Sequence, residues 1–332
     1  MKGLLTEKAL RPLKYNTRKT VKTFMINTNK INEKSKSKIG LEKHPCFNRE
    51  AAKNFGRVHL PVAASCNISC NYCHRDYDCP NESRPGVTSK LISPEEAVER
   101  IWEIKKIFEN ISVAAIAGPG DSLSEPEVTL KTFELIKKEF PEIIPCMSTN
   151  GLNLINNLGE LKNAGVKFIT VTLNAVNAQI ASKIYRYVKY KGVIYTEKDA
   201  AKLLLENQIK GICAAVKNGF KVKINSVLIP GINDFHIKEL SEYVKKSGVY
   251  MFNVMPMIPA EKSYFYKIGI KGAERKDVAA VTKGLKDINI MGHCRQCRSD
   301  AAGLLSKDLS YMLNETANGA ETEDRHIFFR GH

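Results

Sequence analysis

Ser65-Cys66-Asn67-Ile68-Ser69-Cys70-Asn71-Tyr72-Cys73-His74 is the most informative segment of the chain, because it holds three closely spaced cysteines. Cys66, Cys70 and Cys73 are separated by three and then two residues, and an aromatic residue precedes the last of them. A four-iron four-sulfur cluster normally takes four thiolates, so a loop with three leaves one iron free to bind another ligand. The spacing predicts such a cluster with one open position.

Two other uses of these cysteines fit the sequence less well. A zinc site favours pairs of cysteines spaced by two or four residues with a fourth ligand nearby, which the three-residue spacing matches poorly. A disulfide framework needs an oxidising compartment, whereas the chain has nine cysteines, an odd number, and starts Met1-Lys2-Gly3 without an apolar signal segment. These observations favour a metal cluster and a cytoplasmic location.

Length and composition predict one large domain with extensions. The 332 residues are 43% hydrophobic, enough for a sizeable core, and no apolar run approaches the length of a membrane span. Residues 1–44 carry twelve Lys or Arg against three Asp or Glu, and we expect a mobile basic arm there. In this arm no aromatic residues interleave with the charges, as a stacking platform for nucleic acid would require.

Apolar runs alternate with amphipathic segments from about residue 57 onwards. Six runs have strand character: 58–64, 111–117, 143–148, 167–173, 221–229 and 250–258. The first helix is predicted to begin with Ser93 as N-cap and Pro94 as its first residue. Further helices are predicted over 126–138, 152–163, 198–218, 234–246 and 277–287. This alternation predicts an α/β fold, a parallel (βα)6 partial TIM barrel over residues 45–290, with an extension over 291–332.

Candidate ligand-binding residues follow the predicted strands, at the end where such barrels bind ligands. Gly118-Pro119-Gly120-Asp121 after the second strand allows close backbone approach, and its Asp121 can meet a cationic amine, although an ordinary turn is the simpler explanation for this tetrapeptide alone. Later strands contribute Ser148, Asn150, Thr172, Asn174 and Ile224. Strand-end capping is the simpler explanation for each of these, but together they predict a pocket.

Five further cysteines lie near the predicted mouth of the barrel or in the extension: Cys46, Cys79, Cys146, Cys294 and Cys297. The last two form a C-x2-C pair, which is not a full set of cluster ligands. His59 interrupts an apolar run, where a core histidine is the simpler interpretation unless nearby cysteines recruit it. Cys213 lies on the apolar face of a predicted helix and is interpreted as a small core residue.

Together these segments resemble the NifB family of nitrogenase cofactor biosynthesis proteins, which are radical S-adenosylmethionine (SAM) enzymes. The matching segments are residues 66–73, 77–87, 118–123, 171–176, 229–233 and 293–305. Two departures are His74, where family members often have Asn, and Ser122, where many have Pro or Ala. Some members carry a further NifX-like domain, and residues 307–332 are too few to form one, so the resemblance implies a stand-alone form.

The resemblance implies a partial barrel of the radical SAM type with three [4Fe-4S] clusters and SAM, acting as a lyase or transferase. One cluster, held by Cys66, Cys70 and Cys73, binds SAM and cleaves it when reduced. The other two are substrates that fuse into an [8Fe-9S-C] precursor of nitrogenase cofactors, with a carbide from a SAM methyl group and a ninth sulfur from sulfite. The implied partners are cluster donors and cofactor carrier or scaffold proteins, with no nucleic acid and no membrane.

The resemblance also assigns roles to individual residues. By matched position, Gly120, Thr172 and Ile224 line the SAM pocket. Because fused clusters must leave, we expect incomplete ligand sets: Cys46, Cys79, Cys146 and His59 for one substrate cluster, and Cys294 with Cys297 for the other. Glu82 and Arg84, beside Cys79, are expected to relay protons or orient SAM, and a weak surface ion pair is the alternative.

Two other functions remain open from the sequence. A radical SAM enzyme that modifies a peptide or small molecule with permanent auxiliary clusters predicts full ligand sets and a substrate-binding domain, and neither is visible. A non-enzymatic iron-sulfur scaffold or carrier would bind clusters and leave SAM intact.

Overall fold

A computed structural model describes residues 40–315 of the chain, except Pro85 and Thr88. Its ten strands form two sheets. The strands are β1 Gly56–His59, β2 Ile68–Cys70, β3 Ile111–Ile116, β4 Ile144–Thr149, β5 Phe168–Thr172, β6 Tyr185–Tyr190, β7 Val193–Thr196, β8 Lys221–Leu228, β9 Met251–Pro256 and β10 Ala302–Gly303.

Ten α-helices are found in the described residues. They are α1 Ala51–Asn54, α2 Pro94–Ile107, α3 Pro126–Glu139, α4 Leu154–Asn163, α5 Ala178–Ile184, α6 Glu197–Lys217, α7 Ile237–Lys246, α8 Tyr264–Lys267, α9 Arg275–Thr282 and α10 Ser310–Glu315. Two 3-10 helices span Leu41–Lys43 and Asp234–His236.

The main sheet has the strand order β10-β1-β3-β4-β5-β8-β9. Its six strands from β1 to β9 are parallel, and they correspond to the six predicted runs. The predicted α/β partial barrel is therefore confirmed. β10 closes one edge by pairing antiparallel to β1, with Arg57 opposite Gly303. The first strand ends earlier than predicted, at His59, because Pro61 cannot donate a ladder hydrogen bond.

The predicted start of α2 is confirmed. Ser93 Oγ accepts from Glu96 N at 3.1 Å, and the Glu96 carboxylate accepts from Ser93 N at 2.6 Å. This capping box satisfies two of the free N–H groups at the helix start. The predicted helix over 234–246 begins as the short 3-10 helix, and the one over 277–287 ends at Thr282.

The sequence interpretation missed the second sheet, in which β6 pairs antiparallel with both β2 and β7. β6 and β7 meet at a tight turn in which Lys191 and Gly192 both have positive φ, 49° and 79°. Such two-residue turns suit the twist of a hairpin. The side chains of β7 are mostly exposed, so this strand lacks the apolar pattern of a buried strand.

Side-chain alternation separates the two faces of the main sheet. One face packs against the helices through apolar residues that are fully buried, such as Ile116 of β3 and Phe133 and Ile136 of α3. The other face carries small and polar residues, among them Ala115, Cys146, Ser148, Thr170, Lys223, Asn225 and Asn253. Because these residues do not fill the barrel, space remains inside it.

The chain segments on either side of the barrel cover its inner face. Residues 40–44, which the sequence interpretation assigned to the basic arm, end in the buried His44, whose ring centroid lies 4.6 Å from that of Phe47 and 4.4 Å from that of Phe168. Arg57 Nη1 binds the carbonyls of Gly303 and Leu304 at 2.6 and 2.9 Å, and so fixes the C-terminal extension. The rest of the predicted arm lies outside the described residues. None of the described helices is long and apolar enough to cross a membrane.

Candidate active site

The cysteine loop, residues 60–74, is held on two sides by backbone hydrogen bonds. Its strand β2 pairs with β6, so that Ser69 lies opposite Tyr187. Asn71 N donates to Ile184 O at 2.8 Å, and Phe265 N donates to Asn71 O at 2.8 Å. The second sheet therefore positions the three cysteines relative to the barrel.

The thiols of Cys66, Cys70 and Cys73 line one space, which we call the first cavity. Its empty volume, opening included, is about 560 Å³. Within the described residues, no three His, Cys, Asp or Glu side chains lie close enough to hold a single metal ion. Three thiols around one space match the ligands of a cluster in which each of three irons takes one thiolate.

The surroundings of the sulfur atoms fit a cluster. Burial raises the pKa of Cys66 to about 12 and that of Cys73 to about 11, so both thiols stay protonated unless a metal cation enters. Asn150 Nδ2 lies 3.9 Å from Cys66 Sγ. Asn81 Nδ2 lies at the same distance from Cys70 Sγ. Amide donors beside the sulfurs support and tune bound iron-sulfur clusters.

Gly120 brings the loop after β3 against the cysteine loop. Its N–H donates to Ala63 O at 2.6 Å, and the next N–H, of Asp121, donates to Ser65 O at 2.8 Å. A Cβ at Gly120 would lie 2.1 Å from Ser65 O, so only glycine allows this approach. The close backbone approach predicted for this glycine occurs toward Ser65, and Gly120 also lines the first cavity.

Asp121 holds the end of β4 beside the same loop. Its buried carboxylate accepts from Leu123 N at 2.9 Å, from Thr149 Oγ1 at 3.0 Å and from Asn150 N. Burial raises the pKa of this carboxyl, while these hydrogen bonds lower it. Asp121 lines the first cavity, where a ligand can reach it, and its hydrogen bonds also hold the end of β4 in place.

The structure brings together five of the eight residues predicted to surround the ligand of the open iron. These five line the first cavity: Gly120, Asp121, Ser148, Asn150 and Thr172. The others, Gly118, Asn174 and Ile224, line neither cavity of the barrel.

Each of these three residues has another position. Lys223 and Asn225 face the barrel interior, so strand alternation points Ile224 to the opposite face. Asn174 Nδ2 donates to the OH of the buried Tyr72 at 2.7 Å, and its Oδ1 accepts from Val227 N at 2.8 Å. Gly118 packs against the C-terminal extension, where an added Cβ would lie 2.6 Å from Ser299 Oγ.

A second cavity of about 610 Å³, opening included, lies on the inner face of the sheet. Four thiols and the ring of His59 line it: those of Cys46, Cys146, Cys294 and Cys297. β4, the segment before β1 and the extension after β9 supply these cysteines, so residues far apart in sequence meet here. Burial raises the pKa of Cys46 to about 11, against the opposing effect of Lys223.

His59 presents a neutral ring to the second cavity. Its Nδ1 lies 2.9 Å from Arg298 O, and because a carbonyl only accepts, Nδ1 carries the proton. Burial, with a smaller effect of Arg57, lowers the pKa of His59 to about 4. Nε2 is left as a free lone pair, the form in which histidine binds metals.

Two buried cations, Arg57 and Lys223, line the same cavity, and the exposed Arg295 lines it too. Arg57 Nη2 donates to Cys297 Sγ at 3.2 Å. Burial opposes the charge of Lys223, but the surrounding acidic groups, Cys46 first among them, raise its pKa above the usual value. The second cavity therefore combines soft sulfur ligands with positive charge, which suits an anionic metal cluster.

Glu82 and Ser148 line both cavities, so the two spaces adjoin at these side chains. The Glu82 carboxylate accepts from Thr172 Oγ1 at 3.3 Å and from Asn225 Nδ2 at 3.0 Å. Burial raises its pKa to about 7, against the opposing effect of Lys223. A carboxyl with this pKa can both give and take a proton near neutral pH.

Cys79 and Arg84 are placed differently from what the sequence predicted. Cys79 lines the first cavity, apart from Cys46 and His59 with which it was grouped. Its nearest acidic groups are the three cysteines of the loop and then Glu82, and burial raises its pKa. Arg84 is exposed, and its Nε donates to Gln296 O at 3.0 Å, which tethers the extension.

The sequence interpretation missed three residues of the second cavity: His44, Arg57 and Lys223. Neither ring nitrogen of the buried His44 has a hydrogen-bond partner among the described residues. Lys223 interrupts a predicted apolar strand, as His59 does, and Arg57 directly precedes the first predicted strand, 58–64. A charged residue inside or next to such a run is the signal that would have found them.

Comparison with known proteins shows the family to which the chain belongs. Residues 60–244 match the family described as the radical SAM superfamily. The FeMo cofactor biosynthesis protein NifB of Frankia alni is 40% identical over 286 residues, 84% of this chain and 56% of that protein. The protein of the same name from Chlorobaculum tepidum is 38% identical over 296 residues, 87% of this chain and 69% of that protein. Streptococcus suis SuiB bound to S-adenosylmethionine superposes with a TM-score of 0.47 at 16% identity, covering 76% of this chain and 52% of SuiB. The chain thus spans little more than half the length of the Frankia alni relative.

Proposed function

Because the chain belongs to the NifB family of the radical SAM superfamily, we propose that it is a radical SAM enzyme of nitrogenase cofactor biosynthesis. Its reaction fuses two [4Fe-4S] clusters into an [8Fe-9S-C] precursor, with a carbide from SAM and a ninth sulfur. The observation that carries the proposal is the second cavity, where four thiols and a neutral histidine adjoin the SAM-cluster site at Glu82.

Cys66, Cys70 and Cys73 would hold the resident cluster in the first cavity. When bound, this cluster supplies the electron that cleaves SAM. Asn81 and Asn150 donate toward two of its cysteine sulfurs and fix their orientation. The remaining polar lining, including Thr172, binds and orients SAM beside the cluster.

The substrate clusters bind to partial ligand sets, which allow release of the fused product. Cys294 and Cys297 act on Cys46 electrostatically, so we group these three cysteines around one cluster. We group Cys79 and Cys146 around the other cluster, on the Glu82 side; Cys46 also acts on Cys146 electrostatically, so the two ligand sets adjoin. The free ring nitrogens of His44 and His59 complete the sets as neutral, exchangeable ligands.

Glu82 moves a proton between the two cavities. Its carboxylate lines both spaces, and hydrogen bonds from Thr172 and Asn225 hold it in place. Building a carbide from a methyl group removes hydrogens from carbon, so an acceptor beside the carbon is required. With a pKa of about 7, Glu82 can accept such a proton and then release it.

Anaerobic reconstitution with SAM and dithionite tests the proposal. The wild type is expected to form both 5'-deoxyadenosine and S-adenosylhomocysteine, whereas a scaffold or carrier would leave SAM intact. Cys146→Ala should keep SAM cleavage and lose S-adenosylhomocysteine and the fused cluster. Cys213→Ala is the matched control, because Cys213 lies outside both cavities with its Sγ 3.9 Å from Tyr243 OH. Formation of 5'-deoxyadenosine alone by the wild type, with its other clusters unchanged, would contradict cluster fusion.

A further inference from the structure

Lys223 is a buried cation without a hydrogen-bond or ion-pair partner among the described residues. It lies on β8, is 7% exposed and faces the second cavity. No hydrogen bond or ion pair to its ammonium is formed among the residues that the structure describes. Its Nζ lies 5.2 Å from the ring centroid of Phe47. Burying an ammonium without a partner costs free energy, so its position calls for an anion that enters the cavity.

Arg57, the other buried cation of the cavity, has hydrogen-bond partners. The guanidinium of Arg57 is engaged by two carbonyls and by Cys297 Sγ, at 2.6, 2.9 and 3.2 Å. Its geometry is therefore fixed by the protein, and it anchors the C-terminal extension. Arg295 also lines the cavity but is exposed to solvent, so Lys223 is the buried cation whose charge is not engaged by a hydrogen bond or ion pair among the described residues.

The acidic groups around Lys223 come from both ligand sets. Cys46 and Cys294 belong to one set, Cys146 belongs to the other, and Glu82 marks the junction with the first cavity; all four act on the ammonium electrostatically. Lys223 therefore shares the second cavity with cysteines of both sets of cluster ligands.

We propose that Lys223 is a positioning residue that allows two anionic clusters to bind side by side, in the second cavity and at its junction with the first. The inference rests on the proposed function. Thiolate-ligated iron-sulfur clusters are anionic and repel each other, and this repulsion grows as water is excluded. A cation within reach of both replaces part of the repulsion by two attractions. An ammonium on a flexible stem can also follow the clusters as they approach each other, which a rigid guanidinium does less well.

The test compares Lys223→Met, which keeps the length of the side chain and removes the charge, with Lys223→Arg, which keeps the charge. Lys221→Met is the matched control, since Lys221 lies on the same strand, outside both cavities, with its Nζ 5.4 Å from the ring centroid of Tyr250. The readouts are iron per chain, EPR of the reconstituted clusters, and the reduction potentials of the clusters other than the SAM cluster.

Lys223→Met is expected to keep the SAM-cluster signal and to bind the second substrate cluster about tenfold more weakly. The remaining substrate cluster should become harder to reduce, because a nearby positive charge favours the more negative, reduced state. Lys223→Arg should restore loading in large part, and Lys221→Met should behave as the wild type.

Normal loading and unchanged potentials in Lys223→Met would overturn the inference while leaving the proposed function intact. A gain in loading, or a loss that arginine fails to restore, would also overturn it. If the wild type itself takes up only the SAM cluster, the proposed function fails and the inference fails with it. Urea unfolding of the iron-free variants separates a loading defect from misfolding.

Discussion

Gly120→Ala should loosen the contact between the loop after β3 and the cysteine loop. A Cβ at this position would lie 2.1 Å from Ser65 O and 2.8 Å from Ala63 O, whereas real Cβ atoms essentially never come within 3.0 Å of such atoms. The obstructing atoms are backbone, so no side chain can turn away. The two loops must therefore separate by about 1 Å.

The magnitude follows from what this separation breaks. The hydrogen bonds from Gly120 N to Ala63 O and from Asp121 N to Ser65 O, at 2.6 and 2.8 Å, each contribute about 0.5–1.5 kcal/mol. Overpacking adds about 1–3 kcal/mol. We expect the free energy of unfolding of the iron-free protein to fall by about 2–6 kcal/mol.

Urea unfolding followed by circular dichroism measures this change. Gly159→Ala is the control, because a Cβ there meets nothing within 4 Å and alanine favours the helix α4 by roughly 0.5–1 kcal/mol. Since Ser65 precedes Cys66, Gly120→Ala should also reduce iron uptake in the first cavity. An unfolding midpoint and an iron content equal to those of the wild type would refute the reasoning.

Three further predictions address the fold and the site. Ser93→Ala removes the capping box with Glu96 and should lower the free energy of unfolding by about 1 kcal/mol, with iron content unchanged; no loss in urea unfolding would contradict it. Because burial raises the pKa of Glu82 from 4.5 to about 7, folding binds a proton between these values, so the stability of the iron-free wild type should fall as pH rises from about 4.5 to 7. Glu82→Gln should remove this slope, and equal slopes in the two proteins would count against it. Asn150→Ala removes the donor 3.9 Å from Cys66 Sγ and should make the reduction potential of the SAM cluster more negative in an EPR redox titration, whereas an unchanged or raised potential would argue against that contact.

The main sheet was predictable because its strands are buried parallel strands with apolar runs. β3, for example, is buried at all six positions, and such runs can be recognised without knowledge of their neighbours. The hairpin of β6 and β7 was not predictable in the same way. β6 buries only two of its six residues and β7 none, so pairing with the cysteine loop, not an apolar pattern, stabilises them.

The candidate site was predictable where its residues have a recognisable local spacing or follow a predicted strand. The cysteine triplet has a local spacing that identifies it. Cys46 and Cys297, in contrast, share a cavity because of the sheet register and the path of the extension, neither of which their sequence separation specifies. Strand alternation likewise decided that Lys223, and not Ile224, faces the interior, and the end of a strand cannot be located to one residue from sequence alone.

Anaerobic iron quantitation combined with EPR, before and after SAM is added, tests the central claim most directly. The proteins to compare are the wild type and a triple variant, Cys66→Ala, Cys70→Ala and Cys73→Ala. The account predicts about three four-iron clusters in the wild type, of which the triple variant lacks only the one that responds to SAM. It further predicts that SAM converts the other two into one new species in the wild type alone. A triple variant without iron, or a wild type whose other clusters are unchanged after SAM turnover, would contradict the account.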